Sequence, residues 1–402
     1  MASGRLESVR SIQDLRRLAR RSLPRVMFEV IESGVEDENA LAWNERAFRQ
    51  FRLMPRYLGE IAERDQSRTL LGMRYASPFG IGPTGFAAVL RPDADRMLAA
   101  AARKAQIPFV LSGAAATPIE AVAEQGGEVQ WYHLYPARER RITDDIVARV
   151  RDAGIETIVL TVDNPVFPKR ERDLRNGFSL PLRLSLDMLV QALLHPAWTF
   201  RYLSSGGMPL MDTWARYAPA GASPGEVGAF FRSQSPSIQT WRDLERLRVA
   251  WPGRFVLKGI QHPDDARRAA DLGVDAVIVS NHGGKSFDAL PSPVDTLPAV
   301  KAALAGRIPV MMDSGIRRGA DIVIALCLGA DFVFVGRSTL YGVAAAGEAG
   351  AARAITILRD EIDLTLAMIG CGAVDALGPS FLFRPLHPDI AAADPERAFS
   401  RL

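Results

Sequence analysis

The sequence predicts an α/β fold: a parallel (β/α)8 TIM barrel preceded by N-terminal helices and interrupted by a long insertion after the fourth strand. Three observations point to it. Short apolar runs rich in Val, Ile and Phe recur eight times along the 402 residues. Helix-like stretches with an Ala-rich face separate most of them. Each run ends in polar residues with chemical use, and a (β/α)8 barrel gathers its active site at the carboxyl ends of its strands.

The elements follow in order. Residues 8–50 alternate Arg, Asp and Glu with Leu, Val, Ile and Phe at helical spacing, which predicts an N-terminal segment of two or three helices broken at Ser33-Gly34. Strands are predicted at Phe79–Pro83, Pro108–Ser112, Val129–Leu134 and Glu156–Val162. They resume at Arg254–Gly259, Asp275–Ser280, Ile308–Asp313 and Asp331–Gly336. Stretches such as Asp93–Gln106, Asp144–Ala153, Pro263–Leu272 and Ala320–Leu328 read as the helices between them.

The interval from Asn164 to Pro252 breaks the rhythm, and residues 180–237 form an inserted loop or helix within it. Its stretch 183–203 is apolar and aromatic with few charges. It reads either as a helix capping the barrel or burying a subunit contact, or as an interfacial membrane anchor with Trp198, Phe200 and Tyr202 at headgroup level. The Gly-, Pro- and Ser-rich stretch Ser204–Ser237 reads as an irregular loop.

Composition bounds the partners. With 48% hydrophobic and 24% charged residues the chain can bury a large core. A net charge of +3 is weak for this length, and the arginines are scattered among acids, so no nucleic-acid footprint is expected. Cys327 and Cys371 lie apart in apolar or glycine-bounded surroundings, without disulfide or zinc spacing, which suits a reducing compartment. No metal site is expected: His195, His262 and His387 are isolated and each precedes a proline. No signal-type h-region opens the chain, and no run reaches the ~20 apolar residues that span a bilayer. The expectation is a cytoplasmic protein, soluble or peripheral on the cytoplasmic face of the membrane.

Candidate site residues follow the strands in turn. The first strand leads to Thr84-Gly85, the second ends in Ser112, and the third supplies His133 and Tyr135. The fourth ends Thr161-Val-Asp163, with Arg170 soon after. The fifth ends in Lys258-Gly259, the sixth in Ser280-Asn-His282, the seventh in Asp313-Ser-Gly315-Ile-Arg317, and the eighth in Gly336-Arg337. A lysine inside Val-Leu-Lys-Gly is informative, because a buried ammonium is costly unless something anionic meets it. Gly315 and Gly336 with Arg317 or Arg337 make a phosphate-type site where such barrels commonly hold one.

Ser280-Asn-His-Gly-Gly284, Leu257-Lys-Gly259, Asp313-Ser-Gly-Ile-Arg-Arg-Gly319 and Gly336-Arg337 together resemble the FMN-dependent 2-hydroxy-acid dehydrogenase and oxidase family, over roughly Leu23 to Leu382. Within it, Ile81-Gly-Pro-Thr-Gly85, His195-Pro-Ala-Trp198 and Thr339–Glu348 are most similar to the mandelate dehydrogenase branch. The resemblance implies one FMN-binding domain over 1–402 that oxidises an (S)-2-hydroxy acid to a 2-oxo acid. In that scheme His282 is the base, Asp163 orients and stabilises its imidazole, and Tyr135 holds the substrate oxygen. Arg170 pairs with the substrate carboxylate. Lys258 stabilises the reduced flavin. Ser112, His133 and Thr161 face the ring, with Thr84, Gly85 and Ser280 beside it. Asp313, Gly315, Arg317, Gly336 and Arg337 take the ribityl-phosphate tail. The family also implies a homotetramer and an electron acceptor, quinone or O2; Gly85, where oxidases often carry alanine, favours an acceptor other than O2.

Three departures from the family pattern bear on the substrate. Lys285 stands where a second carboxylate-binding arginine is usual, and loses the planar fork. Val30 stands where a substrate tyrosine is usual, and His133 where a glutamine usually faces the flavin. Small acids held mainly by their carboxylate are therefore not the expected substrates. Val30 and Phe287 suit an aryl or bulky side chain. The alternative is a flavin tailoring enzyme on the same scaffold, acting on a larger hydroxy or amino compound.

Overall fold

A computed structural model describes residues 6–59, 61–177, 186–235, 237 and 239–383. His387 and residues 180–185, where the insertion was expected to begin, lie outside this set. Eight parallel strands close into a barrel: β1 (Phe79–Ile81), β2 (Phe109–Ser112), β3 (Gln130–Leu134), β4 (Thr157–Thr161), β5 (Arg254–Lys258), β6 (Ala276–Val279), β7 (Val310–Met312) and β8 (Phe332–Val335). β8 pairs with β1 through Val333 opposite Phe79 and Val335 opposite Ile81, so the ladder has no free edge. Buried on both faces, these strands are apolar runs without alternation, which is why they are visible in the sequence.

Two cores result. Inside the barrel Val110, Trp131, Val159, Val256, Ile278, Met311, Phe332 and Phe334 pack together. A hairpin of Arg68–Leu70 and Met73–Tyr75 adds Leu70 and Tyr75 to this core. The larger cluster lies between the strands and the outer helices.

Side chains two residues apart on a strand share a face. The inward series therefore continues from Val110 to Ser112, Trp131 to His133, Val159 to Thr161 and Val256 to Lys258. It continues likewise from Ile278 to Ser280, Met311 to Asp313 and Phe334 to Gly336. Seven of the expected site residues are thus the last inward layer of a barrel whose lower layers are apolar.

The α-helices Ile12–Ser22, Arg25–Glu32 and Asn39–Ala47 precede the barrel. The third is docked beside the barrel mouth by Asp288, whose carboxylate accepts from the Ala40 backbone N–H and the Asn39 amide, both at 2.9 Å.

The insertion departs from expectation in two ways. Ser204–Ser237 is not an irregular loop: it contains the helices Asp212–Ala215 and Pro224–Gln234. Ser223 and Glu226 form a reciprocal capping box with Pro224 at the first helical position, a start signal that outweighs the Gly and Ser content. The apolar stretch is two helices, Leu186–Leu194 and Pro196–Ser204, divided at His195-Pro196. Trp198 is not a surface anchor. It is 6% exposed, stacks on Tyr202 at 4.8 Å and donates to Val89 O at 3.2 Å. Phe200 is 75% exposed and shares the surface with Leu186, Leu193, Leu194 and Leu203. Among the described residues no helix is long and apolar enough to cross a membrane.

Candidate active site

At the carboxyl rim the chain after β6 turns sharply. His282, Gly283 and Gly284 all have positive φ, at 58°, 67° and 73°. A left-handed histidine costs backbone energy and persists only where its surroundings hold it. Here they do. The Ser280 hydroxyl accepts from the His282 N–H at 3.0 Å, and the Asn281 and Asn44 amides pair reciprocally at 2.9 and 2.7 Å in a buried contact.

His282 Nδ1 lies 2.9 Å from Asp163 Oδ1, and its Nε2 lies 3.4 Å from the Tyr135 hydroxyl. The Thr161 hydroxyl donates to the same Asp163 oxygen at 2.6 Å. Lys258 donates to Ser280 Oγ at 2.8 Å and sits 3.3 Å from Asp313 and 3.7 Å from Asp163. Burial alone would raise the Asp163 carboxyl, but Lys258, His282 and the Thr161 hydroxyl hold it below the usual carboxylate range. Burial likewise opposes charge on Lys258, yet Asp163 and Asp313 keep its ammonium above the ordinary lysine value. Burial pushes the Tyr135 phenol up to about 12, so it stays a donor at neutral pH.

The remaining predicted residues fall into place around a pocket of about 250 Å3. Thr84, Gly85, Tyr135, Arg170, Lys258, His282, Gly315, Arg317, Gly336 and Arg337 all line it. Ser112, His133, Thr161 and Ser280 are buried around the barrel mouth. Arg317 is 8% exposed and pairs with Glu45 at 2.9 Å; its buried charge is kept by Tyr341, Glu45 and Glu32. Arg337 spends its guanidinium on three carbonyls, Ile31 and Gly283 at 2.8 Å and Ser33 at 3.0 Å. Its backbone N–H can also meet an anion, in the first turn of the helix that begins there with Gly336 as N-cap.

Lys285 does not project a free ammonium into the pocket. Its Nζ donates to Val30 O at 3.0 Å and lies 3.4 Å from Ser33 Oγ, so it joins Arg337 in satisfying the C-terminal carbonyls of the helix Arg25–Glu32. Burial and the nearby Arg337 and Arg170 push its ammonium well below the ordinary lysine value. Phe287 is not part of the pocket: it is 52% exposed, and Phe86, Phe167, Phe231 and Leu340 supply the apolar lining beside Val30. Sequence reasoning missed Asn44, Asn281, Asp288 and Ser33, which hold the rim rather than react. Asn281 stood inside the motif, but its partner is 237 residues away.

Whether this rim fits FMN is tested by polar atoms it leaves without partners. His133 is 1% exposed and neither ring nitrogen has a hydrogen bond; Asp163 Oδ2 and Arg170 Nε likewise lack a hydrogen bond. Buried polar groups in folded proteins are as a rule hydrogen-bonded. A flat heteroaromatic ring with donors and acceptors on its edge suits these groups, and a phosphate suits the Gly315–Arg317 and Gly336–Arg337 turns.

Comparison with known proteins agrees. Residues 19–384 match the model of the FMN-dependent dehydrogenase family. The chain belongs to that family. It is 40% identical to the (S)-mandelate dehydrogenase of Pseudomonas putida over 92% of this chain and 93% of that one. The L-lactate oxidase of a Nostoc species is 36% identical over 91% and 95% of the two chains. A crystal structure of (S)-mandelate dehydrogenase, described as a monotopic membrane protein, superposes with a TM-score of 0.91 at 38% identity, covering 94% of this chain and all of that one. This protein is an FMN-dependent 2-hydroxy-acid dehydrogenase or oxidase.

Proposed function

We propose that the protein oxidises an (S)-2-hydroxy acid with an aryl or bulky, mandelate-like side chain to the 2-oxo acid, passing electrons to a quinone or other acceptor rather than to O2. The observation that carries it is the His282 ring, tied through Nδ1 to Asp163 at 2.9 Å with Nε2 turned toward Tyr135. FMN, when bound, supplies the two-electron acceptor. His282 Nε2 takes the proton released from the substrate, and ionised Asp163 stabilises the imidazolium that results. Tyr135 donates to the substrate oxygen, Arg170 holds the carboxylate, and Lys258 would place its positive charge beside the flavin ring. Ser112, His133 and Thr161 face the ring; Asp313, Gly315, Arg317, Gly336 and the Arg337 backbone take its tail.

The substrate preference rests on the outer end of the pocket. With Lys285 tied to Val30 O, Arg170 offers a fork to a carboxylate, and Phe86, Phe167, Phe231 and Leu340 offer apolar surface to a ring. The same withdrawal of Lys285 favours, as a second reading, a larger hydroxy or amino compound without an ordinary carboxylate. Gly85 bears on the acceptor, since a Cβ there would stand 3.2 Å from Ala114 Cβ and crowd the ring side of the pocket. The exposed apolar residues of Leu186–Leu194 and Pro196–Ser204 support peripheral membrane association, as in the monotopic relative. A homo-oligomer is proposed from the family alone.

Anaerobic mixing of the yellow holoenzyme with a panel of acids tests the reading. Bleaching by (S)-mandelate but not by lactate or glycolate is expected. Equal bleaching by lactate overturns the substrate preference, and fast reoxidation in air overturns the acceptor. Sedimentation with lipid vesicles, lost in a Leu193→Glu, Phe200→Glu variant, tests the membrane contact.

A further inference from the structure

A second cavity of about 550 Å3 lies between the loops after β3 and β4 and the insertion. It abuts the active-site pocket. Asn164, Phe231 and Ser235 line the pocket, whereas their near neighbours Pro165, Arg232 and Ser237 line the second cavity, and Phe167 lines both. Adjacent residues of two chain segments facing opposite spaces make a thin wall, and Phe167, 50% exposed, is its shared side chain.

The charge of this cavity is lopsided. Arg138, Arg140, Arg232 and Arg246 line it with one acid, Asp243. That carboxylate is already engaged, accepting from the Thr240 backbone N–H at 3.0 Å and its hydroxyl at 2.6 Å, and lying 3.6 Å from Arg140. Arg246 donates to Asp144 at 2.7 Å, yet its Nε is buried without an acceptor. Arg138 and Arg140 are exposed around the same space. Like charges gathered this closely repel one another, and Arg138 and Arg140, exposed at the cavity, each present a planar guanidinium suited to a carboxylate, sulfonate or phosphoryl group. An anion in the cavity supplies both the missing acceptor and the missing charge.

We propose that this cavity is an anion-binding annex of the active site, and that the substrate is a 2-hydroxy acid whose bulky side chain ends in a second acidic group. This rests on the 2-hydroxy-acid reading above and narrows it. The reacting end lies between His282 and Arg170, the side chain passes Phe167, and the distal acid meets the arginines. Anchoring at the far end also accounts for the weakened near end, where Lys285 and Val30 replace stronger carboxylate ligands.

The test uses anaerobic holoenzyme and mandelates carrying para-carboxyalkyl chains of increasing length, each compared with its methyl ester. At least one acid is expected to reduce the flavin with a kcat/KM about tenfold or more above its ester, as one charge-assisted hydrogen bond would give. Arg138→Gln with Arg140→Gln should erase that advantage and leave (S)-mandelate unchanged. Acids and esters that perform alike throughout the series overturn the proposal, as does a variant that slows mandelate equally. If no 2-hydroxy acid bleaches the flavin, the preceding functional reading fails instead. The annex is then judged by calorimetry with terephthalate: binding lost in the double variant supports it, and no binding overturns it. Inorganic sulfate that binds there without any acid showing an advantage marks a free-anion site and overturns the substrate class.

Discussion

Around His282 opposite charges alternate: Asp163 and Asp313 flank the Lys258 ammonium, and Asp163 also holds the imidazole. At the outer end of the same pocket, Lys285, Arg337 and Arg170 crowd together, with Asp173 and Glu38 as the acids that oppose them. The two regions answer burial differently. Inside, each charged group is kept charged by its neighbour. Outside, burial and Arg317 lower Arg337 to about 10, and Lys285 falls well below the lysine range. The inner end is preorganised for proton transfer before anything binds; the outer end becomes comfortable only when an anion arrives.

The inner half of that contrast is broken most severely by His282→Gln or Asp163→Asn. Each should lower kcat about 10^3-fold with little change in KM, read by the rate of anaerobic flavin reduction. Asp163→Asn keeps the size of the side chain but removes the charge that stabilises the imidazolium. A loss confined to KM would show that Asp163 only shapes the pocket.

How legible these regions were follows from their physics. Strands buried on both faces are continuous apolar runs, so the barrel could be seen, and its inward period of two carried Ser112, Thr161, Lys258 and Asp313 onto one ring. Lys285 could be seen too, but not where its ammonium goes: that depends on Val30 O, 255 residues away in the chain. Trp198 stayed open between a capping helix and a membrane anchor, because an aromatic in an apolar stretch looks the same whether it faces lipid or Val89. The helix Pro224–Gln234 was hidden by its Gly and Ser content, although its capping box lay in the sequence.

At the outer end, Arg170 and Lys285 should separate. Arg170→Met removes the fork proposed for the substrate carboxylate and should raise KM for (S)-mandelate about 10^2-fold, in line with two charge-assisted hydrogen bonds. Lys285→Met should raise it far less, because that amine serves the helix Arg25–Glu32. Equal effects in steady-state kinetics would place Lys285 on the substrate. Lys285→Arg with Val30→Tyr restores the common family pattern and should raise kcat/KM for lactate about tenfold; no gain would mean that the pocket differs more widely.

The smallest effect is the sharpest probe of the crowding. In the empty pocket the Lys285 proton is held weakly; a bound carboxylate nearby favours the charged amine and raises its pKa toward the ordinary lysine value. Between the lowered and the raised value, binding takes up a proton, so affinity must fall as pH rises, by at most about tenfold per pH unit. Below that window the amine is charged in both states and above it neutral in both, so affinity is flat. The dissociation constant of benzoylformate, a mandelate-like 2-oxo acid, should show this slope below the ordinary lysine value. Lys285→Met should abolish the slope while leaving binding at the high-pH end nearly unchanged. A slope that persists in the variant would assign the proton to another group, and the cations at the outer end would then be balanced more like those at the inner one.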